Sequence, residues 1–360
     1  MVTLFTGGRK TPPVRDDLQG IKPYAVPVTR AQVELDSNEN PWNLPDEVIK
    51  DVLDTLAGTD FNRYPDIGVK WLRQNLADGY QLGLENVMAG NGSNEVILDL
   101  LLAFGGPGRK AMLFEPTYSM HDVLCRIAST EAVLVPLEKD FSFDVDAARE
   151  AFNRNKPDIV FLNSPNNPTG NLIPQSDIEQ VCRMGDFLVV VDEAYGEFSG
   201  ETCLSLIKQY KNLVVVKTFS KAFRLAAARV GYALADEGII TGLDKVKLPY
   251  NLNGLSQITA ALVWQRKDAV LRKVAEIVDE RDRVLMALEE MAGNKPFPSY
   301  ANFILFRTER DANAVFDGLL GKGVQIRNFS GKPYLENCLR VTIGTPDENS
   351  AFLAALKESL

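Results

Sequence analysis

The 360-residue chain has 45% hydrophobic and 24% charged residues, the balance of an ordinary folded protein, which excludes a disordered or fibrous chain. Its formal net charge of −9 argues against an extended nucleic-acid footprint, although a local basic pocket for a small anion stays open. Four scattered cysteines without a C-x-x-C pair and a single histidine, His121, leave no metal site of the usual ligand spacing. No apolar run approaches the roughly 20 residues of a membrane span and no signal peptide is evident, so a cytoplasmic protein with neither membrane nor nucleic-acid partner is expected.

In chain order, residues 1–30 carry four prolines and no sustained periodicity, and are expected to form an arm laid over the rest. The string EVILDLLLAF from Glu95 reads as a buried helix opened by Gly90-Asn91-Gly92-Ser93-Asn94. Short apolar runs, AMLF, IVFL, FLVVV and LVVV, then alternate with helical patterns, which predicts a mostly parallel sheet flanked by helices. An amphipathic stretch over 255–291, with room for a break, suits a helix bridging two lobes. ANFILF, GVQIR and CLRVTIG read as short strands, and a helix is expected from 348 to the end. The expected architecture is α/β, with a large lobe over 49–264 and a smaller α/β lobe built from 31–48 and 265–360.

Three apolar runs end in polar clusters: IVFL in NSPNNPTG, FLVVV in DEAY, and LVVV in KTFSK. Ligands of open α/β sheets bind outside the carboxyl ends of the strands, so these clusters can converge on one molecule. Each has a plainer reading alone: a turn for the Asn-Pro segment, a helix cap for Asp192, a solvent-facing lysine for Lys221. After Lys221 a helix with a solvated basic face could equally begin. The amides opening the helix near Ser93 are a natural phosphate cradle, to which Ser220 and Arg229 can add. A phosphate cradle, a lysine, a buried aspartate, a tyrosine and an asparagine together meet the demands of pyridoxal phosphate. Its aldehyde bonds to a lysine, and its ring withdraws electrons when the pyridine nitrogen is protonated. Asp192 would hold that proton, Tyr195 and Asn167 would bond the phenolic oxygen, and Tyr118 in EPTYSMH would cover the ring. His121 reads as a packing neighbour of that segment.

In this order SPNNPTG, VVDEAY, TFSKAFRLAAARVGY and LRVTIGT resemble the class I/II aminotransferases of fold type I over nearly the whole chain. The resemblance implies pyridoxal 5'-phosphate, with Lys221 as Schiff-base lysine and proton carrier, Asp192 at the pyridine nitrogen, and Asn167 and Tyr195 at the phenolic oxygen. It also implies Ser93, Asn94, Thr218, Ser220 and Arg229 around the phosphate and Tyr118 on the ring. QGIKPYAVP, LDSNENPWNLP, FNRYPD, LPYNLNGLSQ and the pair IRNF with CLRVTIGTPDEN are most similar to the histidinol-phosphate aminotransferase subgroup. That likeness implies a homodimer in which Tyr64 reaches the partner's cofactor phosphate. It further implies a substrate site of Tyr24, Asn38, Tyr250, Arg327 and Arg340 that takes a small-molecule amine and 2-oxoglutarate or glutamate. A guanidinium fork accepts a phosphate or a carboxylate bidentately. Aromatic aminotransferases and threonine-phosphate decarboxylases share much of the pattern, so the amine stays open among these. A cofactor-sensing regulator would carry a further helix-turn-helix domain, for which the proline-rich first 30 residues are unsuited.

Overall fold

The computed structural model describes residues 12–21 and 31–360. Val33–Glu34 forms β1. Val87–Gly90 (β2), Lys110–Glu115 (β3), Glu131–Pro136 (β4), Ile159–Asn163 (β5), Leu188–Asp192 (β6), Leu213–Thr218 (β7) and Gly231–Ala235 (β8) build a seven-stranded sheet in the order β2-β8-β7-β6-β5-β3-β4. Asn294–Pro296 (β9), Phe303–Thr308 (β10), Cys338–Thr342 (β13) and Arg327–Asn328 (β12) form a four-stranded antiparallel sheet, while Val324–Gln325 (β11) pairs with β1.

The central strands of the large sheet are apolar on both sides because both faces are covered. Val189, Val191 and Val215 enter one core cluster, and Val190, Val214 and Val216 enter another across the sheet. β5, β6 and β7 are parallel neighbours, in the register Asn163↔Asp192 and Asp192↔Val216. Their polar carboxyl ends therefore lie side by side, and the site gathers there.

The structure sharpens the sequence expectation at several points. β8 runs antiparallel to both β2 and β7, so the sheet is mostly parallel, as expected, with one reversed strand. No helix follows Lys221; residues 221–230 are turns, and positive φ at Arg224 (61°) and Arg229 (54°) is incompatible with a helix there. The amphipathic stretch near 255–291 is three helices, Gly254–Gln265, Lys267–Leu271 and Val274–Glu290. The final helix, Pro346–Lys357, starts slightly earlier than read because Thr345 and Glu348 form a capping box. Among the described residues no helix is long and apolar enough to cross a membrane.

Of the N-terminal segment, residues 12–21 lie beside the helix Met120–Ile127, where Arg15 donates to Ser129 Oγ at 2.7 Å.

Candidate active site

The helix Ser93–Phe104 begins at Gly92, whose φ of +83° suits glycine. A Cβ there would meet Arg229 Nη2 at 2.6 Å, so the guanidinium can lie across residue 92 only because it lacks a side chain. Arg229 Nη1 donates to Ser220 Oγ at 3.2 Å, and Thr218 Oγ1 donates to Ser220 Oγ at 3.1 Å. Gly231, at the start of β8, sits against the same helix end, since a Cβ there would come within 2.2 Å of Ser93 N. Asn94 Oδ1 is buried without a hydrogen-bond partner. The helix start at Ser93 and Asn94, the Arg229 guanidinium and the Thr218 and Ser220 hydroxyls thus lie together, an arrangement that could hold an anion.

At the end of β6, Asp192 is buried and lies 3.2 Å from His121 Nε2 through Oδ2, while its Oδ1 accepts from Ala194 N at 3.0 Å. His121 stacks on Phe161 at 5.1 Å between ring centroids, and Tyr118 meets it edge-on at 5.5 Å. The packing role expected of His121 therefore includes a polar contact to the key carboxylate. The signal was the three-residue step from Tyr118 to His121 at a helix start, which sets the two rings together.

A chain of hydrogen bonds runs across the other side. Arg340 Nη1 donates to Asn167 Oδ1 at 2.5 Å, and Asn167 Nδ2 donates to Tyr195 Oη at 3.2 Å. Asn38 Nδ2 also donates to Tyr195 Oη, at 3.0 Å. Asn38 has φ +54° and is fixed by Thr342 and Asn302, whose sequence positions alone carried no hint of this. Burial, with Arg340 opposing, pushes the Tyr195 phenol up to about 12.

Lys221 is half-buried; its Nζ donates to Ser37 O at 3.0 Å and lies 5.8 Å from the centroid of the Tyr195 ring. Burial and then the Arg340 charge lower its pKa to about 7, Arg229 adding to the effect and Glu39 opposing it. A lysine held near neutrality is a nucleophile and a proton carrier at physiological pH.

The remaining predicted residues divide. Arg327 and Arg340 are register partners across β12 and β13. Tyr64 and Tyr250 stack on each other at 4.6 Å and are 82% and 40% exposed, away from hydrogen bonds to the cradle. Tyr24 lies outside the described residues.

This fold is shared with solved aminotransferases. The histidinol-phosphate aminotransferase of Sinorhizobium meliloti, solved with pyridoxal-5'-phosphate, superposes with a TM-score of 0.87 over 99% of both chains at 24% identity. An aspartate aminotransferase mutant of Thermus thermophilus gives 0.82 over 97% of this chain and 100% of that one at 21% identity. The architecture is thus that of the fold-type I enzymes. Residues 30–356 match the aminotransferase class I and II family, and the chain belongs to it. It is similar to the histidinol-phosphate aminotransferases of Thermobifida fusca (43% identical, over 96% of this chain and 94% of that one) and Corynebacterium efficiens (42%, over 96% and 94%). Membership makes it an aminotransferase with pyridoxal 5'-phosphate as cofactor. The residues present fit that group: the cradle matches a phosphoryl group, Lys221 has a reactive amine, and Asp192 is a buried carboxylate on the same sheet edge.

Proposed function

We propose that the chain transfers the amino group between L-histidinol phosphate and 2-oxoglutarate, giving imidazole acetol phosphate and glutamate, as a cytoplasmic enzyme of histidine biosynthesis. The observation that carries the substrate is the pairing of Arg327 with Arg340, whose side chains leave one face of the small sheet together. Two guanidinia there suit a phosphate in one half-reaction and a carboxylate in the other. Relatives bearing the histidinol-phosphate name at 42–43% identity support the same reading.

Pyridoxal phosphate, when bound, supplies an aldehyde that condenses with amines and a protonated ring that withdraws electrons from the carbon losing its proton. Ser93, Asn94, Thr218, Ser220 and Arg229 would hold its phosphate. Asp192, kept in place by His121 and Ala194 N, would keep a proton on the pyridine nitrogen. Asn167 and Tyr195 would bond the phenolic oxygen, and Tyr118 would cover the ring. Lys221 would hold the cofactor's aldehyde, and its amine, held near 7, would serve as the base that takes the proton from the substrate's α-carbon. Arg327, Arg340, Asn38, Tyr250 and Tyr24 bind the substrate.

The active unit is a homodimer in which Tyr64 completes the partner's phosphate site. Exposed apolar residues support this pairing: Phe61, Tyr64 and Ile67 lie beside Leu248, Tyr250 and Leu255, joined by the Tyr64–Tyr250 stack and the bond from Gln257 to Asp66 O. We further propose that the chain divides into a large lobe over 49–264 and a small lobe of 31–48 with 265–360.

A half-reaction screen tests the substrate: the pyridoxal form is mixed with candidate amines and loss of its visible absorbance is followed. Histidinol phosphate should react with the highest kcat/KM. A faster reaction with phenylalanine or tyrosine overturns the histidinol-phosphate reading, and carbon dioxide release from threonine phosphate moves the enzyme to the decarboxylases.

A further inference from the structure

The two strands that present Asp192 and Thr218 to the cofactor site carry a second charged cluster on their other face. Side chains alternate along a strand, and Glu193 N still donates to Val216 O at 2.9 Å, so the alternation continues past β6. Glu193 and Lys217 therefore point away from Asp192 and Thr218. Lys217 Nζ lies 3.2 Å from Glu193 Oε2 and 2.9 Å from Glu197 Oε1. Lys217 and Glu193 are only 4% and 2% exposed.

The cluster is closely built. Glu193 also accepts from Thr202 Oγ1 and Cys203 N, each at 2.7 Å. A Cβ on Gly196 would stand 3.1 Å from Lys217 Nζ, so the ammonium packs directly beneath the turn that carries Tyr195. Burial opposes the charge on Lys217, but Glu197 and Glu193 outweigh it and hold the ammonium well above its ordinary range. Glu197 Oε2 accepts no hydrogen bond among the described residues.

Stability alone does not account for such a cluster, because well-packed apolar side chains in place of a buried ion pair are often as stable or more so. What directed contacts supply is position. Lys217 holds the carboxylates two residues before and two residues after Tyr195, and it stands next to Thr218 and four residues before Lys221. One ammonium therefore ties the turn bearing Asp192 and Tyr195 to the strand that ends at the reactive lysine.

We infer that Lys217, through Glu193 and Glu197, is a positioning residue that sets Asp192 and Tyr195 at their working distance from Lys221. The inference rests on the roles proposed above for those three residues. Substitution should displace the Tyr195 hydroxyl from the cofactor's phenolic oxygen without touching the substrate pocket.

The test uses holoenzyme of the wild type, Lys217→Met, Lys217→Arg and Glu197→Gln, with folded fraction measured by thermal melting. Lys217→Met should lower kcat by on the order of 10- to 100-fold, the scale of a misplacement near 1 Å, while KM for the preferred amine stays within about 3-fold. The pH midpoint of the bound cofactor's absorbance should rise, because the phenolic oxygen loses a hydrogen bond, and its affinity for apoenzyme should fall. Lys217→Arg should recover most of kcat, and Glu197→Gln should move the midpoint in the same direction by less. A folded Lys217→Met with unchanged midpoint, or a loss of activity that only tracks the loss of folded protein, overturns the inference. Should Lys217→Met fail to fold, an unchanged midpoint in Glu197→Gln overturns it. Borohydride reduction of the wild type keeps the two levels apart: absence of label on Lys221 defeats the underlying site assignment, whereas label on Lys221 with unaltered variants defeats only the role of Lys217.

Discussion

Arg327 and Arg340 stand directly opposite one another on the antiparallel β12–β13 ladder. Like charges in that position repel, and Arg340 is also 6% exposed, anchored to Asn167 Oδ1 and to Asp36 O. On the proposed substrate role, an anion shared by the two guanidinia would add to the contacts they already make. Histidinol phosphate is therefore expected to exceed unphosphorylated histidinol in kcat/KM by a large factor, up to the roughly 10⁴–10⁵ by which a site built to bind a polar group rejects an analogue that lacks it. Arg340→Ala should weaken histidinol phosphate and glutamate together, since one fork serves both; steady-state kinetics with each substrate varied would show a phosphate-only pocket by sparing glutamate.

Lys221 gives a pH prediction. With its amine at about 7 rather than the ordinary 10.5, apoenzyme should capture pyridoxal phosphate at a rate that rises with pH and is half-maximal near 7. The same shift acts on stability. Between about 7 and 10.5 the unfolded chain binds more protons at this residue than the folded one, so apoenzyme stability gains from rising pH across that window. Lys221→Met should remove this part of the slope and, below pH 7, melt above wild type. Parallel melting curves for the two proteins from pH 6 to 10 would refute the shifted amine.

His121 and Asp192 make a separable pair. His121→Phe keeps an aromatic ring against Phe161 but leaves Asp192 Oδ2 without its 3.2 Å partner. Losing such a buried contact costs about 1–3 kcal/mol. Turnover should fall by about 10-fold for each 1.4 kcal/mol lost in the transition state, and Asp192→Asn should do more damage. Single-turnover measurements should find α-proton loss slowed more than amine binding in both variants; equal slowing of both steps would count against an electron-withdrawing role for Asp192.

Tyr64 can be assigned to its own or to the partner's site by complementation. Protomers with Tyr64→Phe mixed with protomers carrying Lys221→Ala should regain part of the activity, because one hybrid site then has both residues intact. Proven subunit exchange without recovery would place Tyr64 outside the partner's site.

Much of the proposed cofactor site can be read in the sequence because its signals are local. An apolar run that stops at Asn163, Asp192 or Thr218 marks a buried strand reaching the sheet edge, and it places a polar cluster at that edge without saying which side chain of the cluster faces inward. Gly92 before Ser93 and the spacing of Ser220, Lys221 and Arg229 are likewise contained within short segments. The sequence also settled the apolar runs of the parallel strands, since a strand covered on both faces needs no partner-specific pattern. The reversed β8 was not legible: GYALA reads the same in either direction, and its orientation follows from the turns at Arg224 and Arg229.

Other relationships exist only through tertiary structure. The His121–Asp192 contact spans 71 residues and the Asn167–Arg340 bond 173, distances over which no periodicity carries information. Asn38 reaches Tyr195 because Thr342 and Asn302 hold it there. Lys217 looks in sequence like another polar residue of KTFSK, yet strand alternation sends it to the opposite face, into Glu193 and Glu197. A sequence determines which residue types stand at each strand end; only the packed sheet decides which of them turn toward the ligand and which turn behind it, because that choice depends on the parity of each strand and on the neighbours it meets.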